Sequence, residues 1–224
     1  MGVRESPHPA VQRTVAALGR FNDRHPWSHN DHFHPWILRN LPKRRGRALD
    51  VGCGQGALLA KLSPHFEQVH GTDLDPVMRS QSSARCAGLA NVTVDAQQLS
   101  EVDGQVDLVT MIAVLHHLDA RDTLTQIKRL LAPGGRLLVV GLAPPLTTRD
   151  KAWDILSVLS NPVIGLIRSP RAVTDGGRLP PFPIADPELS FDELRAIVAE
   201  VIPGAGMRHR IAFRHTISWT KPSA

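Results

Sequence analysis

The stretch Ala48-Leu49-Asp50-Val51-Gly52-Cys53-Gly54-Gln55-Gly56 constrains this chain more than any other. A basic segment, Lys43 to Arg47, leads into a short apolar run ending in Asp50, and a helical apolar pattern starts at Ala57. Strand, tight turn and helix follow one another. Glycine is needed where the backbone turns sharply, and it lets a ligand come close to main-chain N–H groups with no Cβ in the way. The start of the next helix adds unpaired donors and a partial positive charge. Such a unit belongs to a parallel sheet with helices on both faces, whose ligands lie beyond the carboxyl ends of the strands.

The glycine spacing is G-x-G-x-G, whereas the dinucleotide fingerprint is G-x-G-x-x-G. The acid before the turn suits a cationic ligand better than a pyrophosphate. The alternation of strands and helices continues. Phe66–Thr72 forms a second strand ending at Asp73, about 20 residues past Asp50, where a nucleotide fold places a carboxylate for ribose hydroxyls. Asp75-Pro76 caps and opens the next helix. Val92 and Val94 alternate in a third strand that ends at Asp95-Ala96. Val106–Ile112 is a near-continuous apolar run, as expected of a strand buried on both faces. A helix is expected over Thr123–Leu131, stopped by Leu131-Ala132-Pro133-Gly134-Gly135, and a fifth strand over Arg136–Leu142.

D-V-G-C-G-x-G resembles the first motif of class I S-adenosylmethionine (SAM) methyltransferases, whose cofactor carries an ammonium and a sulfonium but no phosphate. D-L-V followed by L-H-H-L (Leu115 to Leu118) and the L-x-P-G-G turn match the same family. The resemblance is good over residues 46–142 and weaker in the C-terminal strands. It implies a Rossmann-like, seven-stranded, mostly parallel sheet with antiparallel C-terminal strands. It also implies SAM as cofactor and S-adenosylhomocysteine as product. The implied cofactor-binding residues are Asp50, Gly52, Cys53, Gly54, Asp73, Leu74, Asp95, Ala96 and Ile112. Asp73 would hold the ribose and Asp95 the adenine amine, with the next main-chain N–H on a ring nitrogen. His116, after strand 4, would face the methyl group and accept a proton from the substrate. For His117 the plainer expectation is a strand-end residue packed under the next helix, and the functional alternative is a substrate contact.

Residues 1–45 are expected to form a helical cap, with a loose end at 1–9 and a helix over Ala10–Arg20 on a Val11, Val15, Leu18 face. From His25 to Trp36 the chain holds four histidines and two tryptophans. Trp27, His29 and His32 are the candidate substrate contacts if this segment lies over the cofactor. The plainer alternative packs Trp36, Ile37 and Leu41 inward and leaves the histidines in water. His29, His32 and His34 lack the spacing of a zinc protease and have no cysteine nearby, so no metal is assigned.

Residues 46–224 would be the methyltransferase domain, with 143–190 inserted as a lid, a homodimer contact or a core helix. Asp150–Arg168 is strongly apolar and is expected to break at Asn161-Pro162; Arg171–Pro187 should be a long loop. Ser190–Glu193 is a capping box, and Met207–Trp219 supplies the last strands with a bend near Phe213-Arg214.

At 224 residues, 42% of them hydrophobic and 21% charged, the chain has the composition of one globular domain. No stretch is long and clean enough to span a bilayer, and Met1–Ala10 lacks a signal core. Two cysteines do not make a disulfide framework, so a cytoplasmic location is expected. The net charge of +5 is scattered except at Lys43–Arg47, and the chain has no tyrosine and few phenylalanines. A solvated linker is therefore expected and no nucleic-acid platform. The expected substrate is a small molecule, the alternatives being a methyltransferase acting on nucleic acid or protein, or a protein of the same fold with a non-methylating or binding role.

Overall fold

In a computed structural model, residues 27–169 and 187–223 are described. The helix expected over Ala10–Arg20, and all but the last position of the loop over 171–187, lie outside them.

Seven strands form one sheet in the order β3-β2-β1-β4-β5-β7-β6. They are β1 (Arg47–Val51), β2 (Gln68–Thr72), β3 (Val92–Asp95), β4 (Val106–Ile112), β5 (Leu131–Gly141), β6 (Gly206–Arg210) and β7 (Arg214–Thr220). Only β7 runs against its neighbours. Strand residues alternate between two cores. Ala48, Val69, Leu108 and Leu138 pack beneath α2 (Ala57–Leu62) and α3 (Pro76–Cys86), joined by Ile37 of α1 (His34–Arg39). Leu49, Val51, Val109, Met111, Leu137 and Val139 pack on the other face with α4 (Ala120–Leu130) and α6 (Phe191–Val201). Burial on both faces is why β4 is apolar almost throughout.

Local chemistry sets the element ends. Asp75 caps α3 by accepting from the Val77 and Met78 N–H groups. Asp119 caps α4 by accepting from Asp122 N at 2.7 Å, so α4 starts at Ala120, earlier than its apolar spacing suggests. Ser190 and Glu193 form the expected capping box of α6. The L-A-P-G-G segment is not a free turn. It stays in β5 as a bulge, with Leu131 paired to Val106 and Arg136 already paired to Leu108.

Two expectations fail in α5 (Thr148–Arg168). The helix runs through Asn161-Pro162 without a break, forgoing the one bond that the Pro162 nitrogen cannot donate. Nor is it a core helix. Its buried face is Asp150, Ser157, Asn161 and Gly165, whereas Ile155, Leu156, Leu159, Val163, Leu166 and Ile167 are exposed. The inward side chains serve hydrogen bonds: Asn161 Oδ1 meets His29 Nε2 at 2.8 Å, and Ser157 Oγ accepts from Phe213 N at 3.1 Å.

That last bond shows why the final bend lacks a turn signature. The three-residue loop Ile211–Phe213 joins β6 to β7 with Ala212 and Phe213 at positive φ. The Ser157 hydroxyl, brought in by α5, supports a conformation that glycine would otherwise supply.

The basic segment before β1 is tied down. Asp107 Oδ2 accepts from Gly46 N (2.8 Å) and Arg47 N (3.2 Å), and Asp107 Oδ1 lies 3.5 Å from Arg44 Nε. Asp107→Ala is expected to cost about 2 kcal/mol by leaving two partly buried donors unmade and removing the Arg44 contact. Thermal unfolding should show a melting temperature lower by roughly 5 °C.

Candidate active site

The turn after β1 uses glycine for its backbone angles. Gly52, Gly54 and Gly56 have φ of +67°, +53° and +74°. A Cβ on Gly52 would run into the Val114 methyls, and one on Gly56 into Ser82 of α3. A Cβ on Gly54 would meet nothing within 4 Å. Gly52 and Gly56 are therefore bare for packing, and Gly54 is bare beside open space.

Four main-chain donors of the turn itself are already taken. Gly52 and Cys53 N–H both donate to Thr72 O, Gly56 N–H to Cys53 O, and Gly54 N–H to Asp73 Oδ2 at 2.8 Å. With only six residues, α2 adds little dipole. The Cys53 side chain also turns inward, close to Ser82, and burial pushes its thiol up to about 12.

The register brings three carboxylate-bearing residues to adjacent strand ends. Asp50 pairs with Gly71, Thr72 pairs with Asp95, and Asp73 N donates to Asp95 O. Asp50 is buried, and Thr110 Oγ1 donates to its Oδ1 at 2.6 Å. Burial pushes the Asp50 carboxyl up to about 7, with Asp73 adding and the Thr110 bond opposing. Asp73 accepts from Gly54 N and Asp75 N, so it fixes the turn as well as facing it. Asp95 accepts from His70 Nε2 (2.9 Å) and Gln97 N (2.9 Å). A carboxylate has about four lone-pair sites, so Asp73 and Asp95 each keep acceptor capacity. Leu74 and Ala96 are exposed beside them.

This donor and acceptor set fits a nucleoside that is cationic and unphosphorylated. Acids come from three strand ends, the open space lies at Gly54, and Gly52–Gly56 holds no cationic side chain.

Beyond β4 the chain turns at Ala113, with φ +57° and its N–H bonded to Val140 O at 2.8 Å. A non-glycine residue in this region is strained, which marks the segment as shaped for a purpose. Leu115 is the residue that enters the core. His116 is half-buried and His117 is exposed, so His117 does not pack under α4 as the plainer reading expected. Their rings lie 4.0 Å apart. Burial first, then His117 and Arg214, pull His116 down to about 4, so it is neutral at pH 7.

The histidine-rich segment covers the β4–β5–β7 part of the same edge. Phe33 packs with Val140 and Ala212, and Trp27, Trp36 and Ile112 close around them. Trp27 contacts the rings of His29 and His32 edge-on. His29 reaches Asn161 of α5, and Asn30 Oδ1 accepts from Arg214. His34 does not face water. It is 3% exposed, with Lys61 Nζ at 2.9 Å from Nδ1 and Asp31 Oδ1 at 3.5 Å from Nε2.

The sequence reading missed His209, His215, Asp150 and Phe191. His209 Nε2 lies 3.5 Å from Asp150 Oδ1, and its ring stacks on Phe191 at 3.7 Å. Only the hairpin register brings His209 and His215 together as cross-strand partners.

Comparison with known proteins agrees with this architecture. The model of a methyltransferase domain family matches residues 49–139. An uncharacterized methyltransferase of Mycobacterium tuberculosis is 29% identical over 200 residues, covering 88% of this chain and 98% of that protein. Among solved structures, the N-methyltransferase NodS of Bradyrhizobium japonicum, in complex with S-adenosylhomocysteine, has a TM-score of 0.55. It is 18% identical, with 94% of this chain and 99% of that chain covered. Magnesium protoporphyrin IX methyltransferase of Synechocystis, with bound S-adenosylhomocysteine, has a TM-score of 0.54. It is 19% identical, with 98% and 90% covered. The acid-led glycine turn, the sheet order and these matches agree: residues 49–139 match a methyltransferase domain, and the fold is that of the class I SAM-dependent methyltransferases.

Proposed function

We propose that the chain transfers the methyl group of SAM to an O, N or C atom of a small molecule. The observation that carries this reading is the register that sets Asp50, Asp73 and Asp95 at neighbouring strand ends, with Asp73 bonded to the Gly54 N–H and open space beside that glycine. In this reading Asp73 accepts from the ribose hydroxyls, Asp95 and the main chain at Ala96 hold the adenine edge, and Asp50 faces the cofactor's ammonium. Leu74 and Ile112 supply apolar walls. The bound cofactor supplies an electrophilic methyl on sulfur. The protein has to align a nucleophile with that methyl and exclude water.

Trp27, His29, His32, His116 and His117 line the approach to the acceptor side in the same reading. A small acceptor is favoured because the N-terminal segment, α5 and the β6–β7 hairpin close over this part of the edge. The named substrates of the relatives support it too, magnesium protoporphyrin IX among them. The test is incubation with methyl-labelled SAM and a metabolite extract. Label should enter the small-molecule fraction, and label confined to RNA or protein would refute the reading.

Asp50 gives this binding a pH signature. Its folded-state value of about 7 lies above the ordinary value, so the ligand-free fold prefers the protonated acid. The associated stability is present at low pH and is lost as the pH rises to about 7. A cationic ligand prefers the carboxylate, so binding below pH 7 must displace a proton. Affinity for SAM should fall about tenfold per pH unit below 7. Calorimetry in two buffers of different ionisation enthalpy should count close to one proton released at pH 6. Asp50→Asn should flatten the profile, and a wild-type affinity independent of pH would exclude Asp50 from the contact.

A further inference from the structure

The strand register sets three residues in a row at the carboxyl edge. His209 on β6 faces His215 on β7, and His215 faces Gly141 on β5. A Cβ on Gly141 would overlap the His215 ring, so the ring occupies the notch that glycine leaves. His215 is 2% exposed, and neither ring nitrogen has a hydrogen-bond partner among the described residues. Leaving such groups unmade costs about 1–3 kcal/mol each. A buried ring in that state marks a place where a ligand completes the bonding. His116, on the loop after β4, has its Nδ1 in the same condition.

A cleft opens over this row, lined by Pro144, Trp153, Phe191, His209, Phe213 and His215. Arg214 is the permanent cation beside the two open rings, while Asp150 and Asp154 line the cleft with Arg210. Beyond burial, His215 is held down by His209, Arg214 and His116, and His116 by His117 and Arg214. The nearby carboxylate of Asp150 is engaged elsewhere. Its Oδ2 accepts from Thr147 N and Oγ1, and its Oδ1 faces His209.

We propose that His215, together with His116, binds the methyl acceptor through neutral imidazole N–H groups, and that the acceptor reacts as an oxyanion derived from an acidic O–H. The inference rests on the methyltransferase reading above and names the acceptor chemistry of that site. The Arg214 guanidinium beside both rings, with the imidazole N–H donors, favours a bound oxyanion over a bound ammonium. The acceptor hydroxyl gives its proton to solvent. The oxyanion then donates a lone pair to the methyl carbon as the carbon–sulfur bond breaks. That bond's electron pair returns to sulfur, so anion and sulfonium both end neutral. The imidazoles orient the oxygen and stabilise its charge, and neither has to act as a base.

The probe is 4-nitrophenol, whose phenolate absorbs in the visible, titrated with the full chain saturated with S-adenosylhomocysteine. The bound phenol should ionise about one pH unit lower than the free phenol, a roughly tenfold preference for the anion. His215→Phe fills the same notch without an N–H and should abolish that shift. His215→Asn, which keeps one N–H, should retain part of it. Affinity for S-adenosylhomocysteine, read by calorimetry, should stay within about twofold in both variants, because neither changes the acids at β1–β3. The proposal is overturned by no binding of the probe at millimolar concentration, by an unshifted midpoint, or by a full shift in His215→Phe. Tighter binding of 4-nitrobenzylamine, an amine of similar shape, would also overturn it. Failure of the wild-type chain to bind S-adenosylhomocysteine would instead bring down the methyltransferase reading beneath it.

Discussion

Asp73→Ala should lower the affinity for SAM at least about 100-fold, because the ligand would lose two charge-assisted hydrogen bonds worth about 1.5–3 kcal/mol each. The carboxylate already accepts from Gly54 N at 2.8 Å and from Asp75 N at 2.9 Å. It is thereby fixed at the end of β2 with lone pairs left over for the two ribose hydroxyls. A ligand meeting a preoriented acceptor loses little entropy in ordering it, which makes this position costlier to remove than a mobile surface acid. Asp75→Ala is the matched control. It removes the cap of α3 and should cost about 1 kcal/mol of stability while changing affinity only a few-fold. Calorimetric titration of both variants separates the roles, and unchanged binding in Asp73→Ala would sink the ribose assignment.

The two neighbouring aspartates also show what a sequence discloses. Asp75 precedes a proline that opens a helix, so its capping role is local and readable. Asp73 ends an apolar alternation, so its place at a strand end is readable as well. Its bond to Gly54 is not, because that depends on how β1 and β2 align. The same division runs through the molecule. Strands β1 to β4 and helices α2 and α3 follow from period, glycine and caps, since their apolar residues face one of two cores. The α5 helix misleads because its apolar residues face out and its polar ones face in. The inward set is chosen by hydrogen bonds to His29 and Phe213, far off in sequence. His215 was invisible for a similar reason. Alone in a strand it is an ordinary residue. It becomes notable only beside Gly141 and His209, a juxtaposition that two antiparallel registers create.

Gly52→Ala should cost about 3 kcal/mol, and the loss should divide into two separable parts. The first is backbone strain: φ is +67°, and an L-residue in the left-handed region costs roughly 1–2 kcal/mol. The second is steric, since the new methyl would press on the Val114 side chain. Val114 follows Ala113, itself at φ +57° and bonded to Val140 O. The push therefore falls on a turn with no slack, just before His116. Val114→Ala should relieve the steric part and leave the strain, giving a coupling of about 1–2 kcal/mol in the double-mutant cycle. Gly54→Ala provides the contrast. With φ +53° and nothing within 4 Å of the added methyl, it should cost stability only the backbone part. Because that methyl would stand in the open space beside the acids, Gly54→Ala should weaken SAM binding at least about tenfold, more than its stability loss accounts for. Denaturant unfolding and calorimetry on the same variants would show the two glycines failing in different ways. If Gly54→Ala binds SAM as the wild type does, the cofactor does not lie against this turn.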